Sequence, residues 1–534
     1  MTPLTTTERA TGHLAREPDD TVAIAAFSNR QPTRRVPWEA IAVAVLLALA
    51  FLVRLPGLDT PSIEQRENQS SLLARGWFLH GGDVAAWQQR VLDEVHSVLR
   101  PYEPPLLELA ASAFYRATAG ERIWFPRLLS TLAWLAGAVA LALLAARMTN
   151  TAGMLTAVGL YVVWPYAFSQ SRKFMPDSLL VACIVAATLL IVRYWERPTR
   201  ARLALAATVS AFATLVKPGV GLFFVVAVFV ALALAHGRLR AEVTSWRLPA
   251  FAVVAAAPAV LYYLVGQATE FTHPDAGSGR TTPQDVLTSE FWTGWWEMVS
   301  FLLRAPQSQA ALAILPLAVG VVGLLLVPRG IPRATLWGLT CGYVFFALAV
   351  ARYTATHPYY ALPLIPILAL AIGVVVGRLD ERLSRAPTGR VALAVVVAGV
   401  VGAGAYKAIA NIAATDAPTQ TIADYRRIGV VTDHTTRAIV INPSLSHPVM
   451  YWGWIVGQSW DVSTYDELPS TIDPREKDYL VLYGNETLGV SPGLRAFVRG
   501  EPIVAETDRF TVFALCREGA VTSPQCAGRR SPSR

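Results

Sequence analysis

Runs of about 18 or more apolar residues recur along this chain from end to end, the length a helix needs to cross a bilayer. Lipid offers no water to satisfy backbone N–H and C=O groups, so such a run must fold as a helix whose hydrogen bonds are internal. Composition agrees. Of 534 residues, 53% are hydrophobic and 16% are charged, against about 25% charged in a soluble domain. Helices packed around a soluble core need charged outer faces, and here those faces are missing.

About eleven spans are expected at about 20 apolar residues each. They are Trp38–Leu55, Leu128–Ala146, Thr151–Phe168, Ser178–Tyr194, Ala201–Val216, Gly219–Ala235, Leu248–Val265, Ala310–Val327, Ala334–Val350, Tyr359–Gly377 and Val391–Ile409. The net charge of +8 would suggest a nucleic-acid partner in a soluble protein. Its arginines, however, sit in short loops between spans, so topology explains them better. Arg30, Arg34 and Arg35 precede the first span, and Arg147, Arg193, Arg197, Arg200, Arg202, Arg238, Arg240, Arg247, Arg329, Arg333, Arg378, Arg382, Arg385 and Arg390 fall in every second loop thereafter. This places residues 1–36 in the cytoplasm and the C-terminus outside. The first 36 residues lack an apolar stretch with a cleavage site, so the first span reads as a retained anchor.

Three long segments then share the outer face: Pro56–Pro126, Gly266–Gln309 and the tail from Asn411. The expected domains are a cytoplasmic tail (1–36), a membrane catalytic region (37–410, its first outer loop 56–126) and an extracytoplasmic domain (411–534). Pro104–Ala119 reads as a helix lying in the interface, and Phe291–Trp296 as an aromatic belt or interfacial helix. In the tail, Arg437–Asn442, Asp478–Tyr483 and Phe510–Cys516 read as strands, giving a small α/β domain of roughly 110 residues. Cys183 and Cys341 fall inside spans as packing residues, whereas Cys516 and Cys526 can pair in an oxidising space.

Ionisable residues near a bilayer boundary are costly and tend to be functional. Five clusters fall on the expected outer face: Glu64 to Ser70, Tyr102 to Pro105, Ser171 to Asp177, Lys217-Pro218, and His357 to Tyr360. Each alone has an ordinary explanation: a solvated loop, a carboxylate favouring a helix N-terminus, a snorkelling cation, a belt tyrosine. Together they bring carboxylates and cations to the depth of a lipid phosphate headgroup. There a base to deprotonate an attacking group and cations to stabilise phosphate charge are the parts required.

Arg66-Glu67 with Ala74-Arg75, Glu103-Pro104-Pro105-Leu106, Arg127-Leu128-Leu129-Ser130, Met175-Pro176-Asp177, Lys217-Pro218 and His357-Pro358-Tyr359-Tyr360-Ala361-Leu362-Pro363 follow one another from about Trp38 to Gly377. In order and spacing this set resembles the bacterial branch of the dolichyl-phosphate-mannose protein mannosyltransferase-like enzymes, glycosyltransferase family 39. The resemblance implies an all-α polytopic membrane protein of GT-C type with a small C-terminal α/β domain. The activity it implies is transfer of a sugar from a polyprenyl-phosphate donor to a lipid, glycan or protein acceptor at the outer face of the inner membrane, with no nucleic-acid partner. An Asp-Glu pair typical of the family matches Arg66-Glu67 here, so the aspartate is absent. Glu67 becomes the first choice for the base, with Glu64, Glu103 and Asp177 as fallbacks. Lys217, Arg172 and His357 would contact the donor phosphate, and Arg66, Tyr359 and Tyr360 the substrate. No cofactor and no metal ligand set is assigned, and a divalent metal requirement stays open.

Two other readings compete. A transporter or flippase would carry midplane charges and paired repeats with broken helices, whereas these spans are almost free of midplane charge. A non-enzymatic scaffold would bind a partner through its exported tail.

Overall fold

A computed structural model describes residues 37–274, 276, 281–303, 311–413, 418–462, 466–516 and 526. The tail expected over 1–36 lies outside the described residues. All eleven apolar runs are helical, although several helices begin or end a few residues from the expected bounds. Six helices among the described residues are long and apolar enough to cross a bilayer: Trp124–Met148, Asp177–Glu196, Pro218–Ala235, Arg247–Ala268, Pro358–Arg385 (counting its leading turn) and Pro387–Ile412. Trp38–Leu52, Thr151–Val163 and Ala313–Leu326 are apolar but shorter. The count of about eleven crossings is therefore not established, because several helices fall short of a full bilayer by themselves.

Prolines set the breaks. Helix Arg200–Val216 stops at Lys217 and helix Pro218–Ala235 starts at the next residue, because the residue before a proline is pushed out of the helical region while proline itself suits a first helical position. Lys217 is accordingly extended, at φ −149° and ψ 91°. The hairpin can close because Gly221 has no side chain: a Cβ there would lie 2.4 Å from the Ala213 carbonyl oxygen. The result is a cation at the apex of two packed helices.

The segment 56–126, expected as the first outer loop, folds into three helices, Gln65–Leu79, Ala86–Val98 and Leu106–Thr118, the last coinciding with the segment expected at the interface. Phe291–Trp296 likewise lies within helix Ser289–Leu303. The tail forms a five-stranded sheet of β1 (Ala438–Ile441), β2 (Gly457–Ser459), β3 (Tyr479–Tyr483), β4 (Ile503–Glu506) and β5 (Phe510–Ala514). Their order is β2-β1-β3-β5-β4, with β1 parallel to both β2 and β3 and the β5 pairings antiparallel. The three expected strands are the central ones, whose buried runs carry the signal. The edge strands β2 and β4 are short or half-exposed and left no such mark. Cys516 and Cys526 form a disulfide, their Cα atoms 5.3 Å apart.

This tail domain is docked on the helices of segment 56–126. Leu72, Leu73, Val91, Val95 and Leu99 share an apolar cluster with Met450, Tyr451 and Val456. Trp452 donates its indole N–H to the Ser62 carbonyl at 2.9 Å, and the His447 backbone N–H donates to Gln65 Oε1 at 3.2 Å.

Candidate active site

A cleft of about 680 Å³ opens where several helix ends meet the docked tail. Its lining mixes polar residues, Glu64, Gln65, Arg66, Gln170, Lys173 and Ser444 among them, with apolar ones that include Pro165, Met175, Phe301 and Pro358. Tyr359 completes the lining beside Arg66.

Arg66 stands in the first turn of helix Gln65–Leu79 and donates to Glu103 Oε2 at 2.6 Å and to Gln69 Oε1 at 2.6 Å. Burial alone would weaken its charge, but Glu103, Tyr359, Glu108 and Asp177 together outweigh that and raise its pKa, Glu103 contributing most. Three carboxylates, Glu103, Glu108 and Asp177, thus bear on one guanidinium. Glu108, buried and hydrogen-bonded by Ser70 Oγ at 2.7 Å, is pushed above the ordinary carboxyl range by its loss of water.

Asp177 opens helix Asp177–Glu196, where the peptide dipoles favour a carboxylate. Its Oδ1 accepts from Lys217 Nζ at 2.9 Å, and its Oδ2 is buried without a hydrogen-bond partner. Lys217 Nζ also lies 4.2 Å from the Tyr360 ring centroid and 4.8 Å from that of Tyr359, close enough for cation–π attraction. The turn Pro358–Ala361 carries both rings. Asp177 does not itself line the cleft, but Met175, Arg66 and Tyr359 around it do.

Three candidates sit differently from what the sequence suggested. Glu67 is 2% exposed and absent from the cleft lining. Both its oxygens accept from Arg127, at 2.7 and 3.0 Å, and the Phe174 backbone N–H donates to one of them at 2.9 Å. Burial would raise this carboxyl, yet the Arg127 charge and hydrogen bonds outweigh it and hold it at about 2. Arg172 turns to the Arg54 and Pro56 carbonyl oxygens, and its neighbour Lys173 reaches the cleft instead, 2.5 Å from Glu64. His357 bonds Thr356 Oγ1 through Nδ1 at 2.7 Å and adjoins the cleft through Pro358 and Tyr359.

The sequence reading missed several contributors. Arg54 is wholly buried, donating to Ser171 Oγ at 3.0 Å and to the Ala50 and Val162 carbonyls. Arg127 stands out in the sequence only within the motif Arg127-Leu128-Leu129-Ser130, although a charge at the first turn of a span is a signal by itself. His447 comes from the tail, and loss of water together with Arg66 lowers it to about 4. Nothing in its local sequence placed it there. No group of three or more His, Cys, Asp or Glu side chains able to hold a metal occurs among the described residues.

The fold is that of the GT-C membrane glycosyltransferases. Residues 102–263 match the sequence model of the dolichyl-phosphate-mannose-protein mannosyltransferase family. The chain is similar in structure to ArnT from Cupriavidus metallidurans, both bound to undecaprenyl phosphate and in the apo state. These share 16% identity with it, at TM-scores of 0.56 and 0.57, over 90% of this chain and 99% of that one. It is also similar to the oligosaccharyltransferase AglB from Archaeoglobus fulgidus, in complex with an inhibitory peptide and a dolichol-phosphate. Here the TM-score is 0.53 and the identity 13%, over 83% of this chain and 69% of that one. No curated protein matches the sequence.

Proposed function

We propose that this protein is a membrane glycosyltransferase that moves a sugar from a polyprenyl-phosphate donor to an acceptor at the outer membrane face. The observation that carries this reading is a cleft lined both by cations, Arg66 and Lys173, and by apolar side chains, Pro165, Met175, Phe301 and Pro358, with the Asp177–Lys217 pair adjoining Arg66. The apolar lining suits a lipid tail and the cations suit its phosphate. That ArnT was crystallised with undecaprenyl phosphate supports the same donor chemistry here.

The reaction follows from the arrangement. Once Met175, Arg66 and Tyr359, which stand between Asp177 and the cleft, part to admit it, an acceptor hydroxyl or amine gives its proton to Asp177 Oδ2 while its heteroatom attacks the anomeric carbon. The bond from that carbon to the phosphate oxygen breaks with inversion, and its electron pair leaves on the phosphate. Arg66 and Lys173 meet the charge that develops there. Lys217 orients Asp177, Glu103 fixes Arg66, and Tyr359 and Tyr360 wall the sugar. In this reading residues 37–410 form the catalytic membrane region and 411–534 an extracytoplasmic domain, with the N-terminus cytoplasmic, as the arginine-rich loops require.

Arg66→Lys keeps a charge against Glu103 but loses the planar fork. It is expected to weaken binding of undecaprenyl phosphate to the purified protein by about 10–100-fold, the worth of one charge-assisted hydrogen bond. Unaltered binding would remove Arg66 from the phosphate site.

A further inference from the structure

A second cavity, of about 300 Å³, lies between segment 56–126 and the tail domain, and the transfer chemistry makes no use of it. Arg75, Arg426, His434, Tyr451, Trp452 and Trp454 surround it. The wall is layered: the Arg75 guanidinium lies 3.8 Å from the Tyr451 ring centroid and 4.3 Å from that of Trp454. Trp87 stacks on His434 at 3.9 Å and meets Trp454 edge-on at 5.6 Å. Arg75 is 6% exposed and held by Glu121 at 2.8 and 3.2 Å and by the Tyr451 carbonyl at 2.6 Å. Arg426 is exposed, 5.5 Å from the Trp452 ring centroid, and makes no ion pair among the described residues.

The backbone is forced to build this wall. Asp433, His434 and Trp454 have φ of +49°, +51° and +53°, left-handed conformations that non-glycine residues rarely adopt. His434 Nδ1 lies 3.1 Å from the Gly453 carbonyl and 3.3 Å from that of Trp454, pinning the strained turn. Gly429 lets the two helices behind it touch, since a Cβ there would lie 1.9 Å from the Gly453 oxygen. Strain of this kind persists where the surroundings over-determine it, as they do around ligand clamps.

We propose that this cavity binds the carbohydrate portion of the acceptor, an assignment that rests on the transfer reading above. A pyranose presents a C–H face that lies flat on an aromatic ring and a rim of hydroxyls that accept from guanidinium. Rings and guanidinium groups are what this cavity offers, in the few-polar-groups pattern of ligand sites. It also shares two segments with the cleft. Helix Gln65–Leu79 carries Arg66 at the cleft and Arg75 here, nine positions apart, or about 14 Å along the axis. The tail contributes Ser444 to the cleft and Tyr451 to Trp454 to the cavity. The two arginines stand half a turn apart around that helix, so an acceptor bound here reaches the transfer site by passing from one side of the helix to the other.

The test exposes the full chain in detergent, with its Arg426→Ala and Trp454→Ala variants, to an array of bacterial envelope oligosaccharides, neutral and uronic-acid-containing. Undecaprenyl phosphate binding is measured on the same preparations. Wild-type protein is expected to retain a glycan class that each variant binds about tenfold more weakly, the scale of one lost ring contact. Because Arg426 is exposed, its variant answers the question if Trp454→Ala fails to fold. Absence of glycan binding, or binding indifferent to Arg426→Ala, overturns the proposal even if undecaprenyl phosphate still binds. Glycan binding that depends on Arg426 in a protein that binds no undecaprenyl phosphate supports the cavity and removes the transfer reading instead.

Discussion

Asp177→Asn is expected to lower the rate of sugar transfer by about 10²–10⁴-fold, the contribution of a well-placed general base. Asparagine keeps the shape and a hydrogen-bond acceptor for Lys217 but cannot take the acceptor's proton. Asp177 Oδ2 is the carboxylate oxygen beside the cleft that is buried and without a hydrogen-bond partner. The Glu103 carboxylate is occupied by Arg66 at 2.6 Å, and Glu64 stands half-exposed against Lys173. The decisive comparison is Asp177→Asn against Glu64→Gln and Glu103→Gln in one assay, with undecaprenyl phosphate binding measured beside it. A rate lost with donor binding intact marks a group that acts on the reaction. Should Asp177→Asn transfer at the wild-type rate while Glu64→Gln does not, the base is Glu64.

The bundle was legible in the sequence because lipid leaves a helix no alternative. Apolar run length is therefore a direct readout, and all eleven runs are helical. How many of them cross was not legible, since helices such as Thr151–Val163 are apolar but shorter than a full crossing. Within the site, charges at span ends were informative. Lys217-Pro218 and Met175-Pro176-Asp177 are punctuated by proline, which fixes where each helix starts, and the structure joins Lys217 to Asp177 at 2.9 Å. Which charge faces the cleft was not legible. Arg172 and Lys173 are adjacent, and only the carbonyls left open by the end of the first helix, at Arg54 and Pro56, decide that arginine turns inward. Nor could local sequence show that His447 and Ser444 arrive from the tail, almost 400 residues after the helix they meet.

Glu67→Gln is expected to act on the fold rather than the chemistry, lowering stability by about 3–5 kcal/mol, the cost of breaking one side of a buried pair. Arg127 would remain buried, with its donations to the Leu58 and Thr60 carbonyls intact but its charge uncompensated. The pH dependence has a definite sign. The Glu67 carboxyl is depressed from 4.5 to about 2, so its contribution is fully present above about pH 4.5 and fades as pH falls towards 2. The gap between wild type and Glu67→Gln in thermal unfolding should therefore be wide at pH 7 and narrow by pH 3. Transfer per folded molecule, measured well below the variant's unfolding midpoint, should stay near wild type. A variant as stable as wild type yet inactive would reverse the assignment and restore Glu67 as the base. The arrangement makes that outcome hard to reach, because Arg127 and the Phe174 N–H already engage both oxygens, and Glu67 is buried away from the cleft lining.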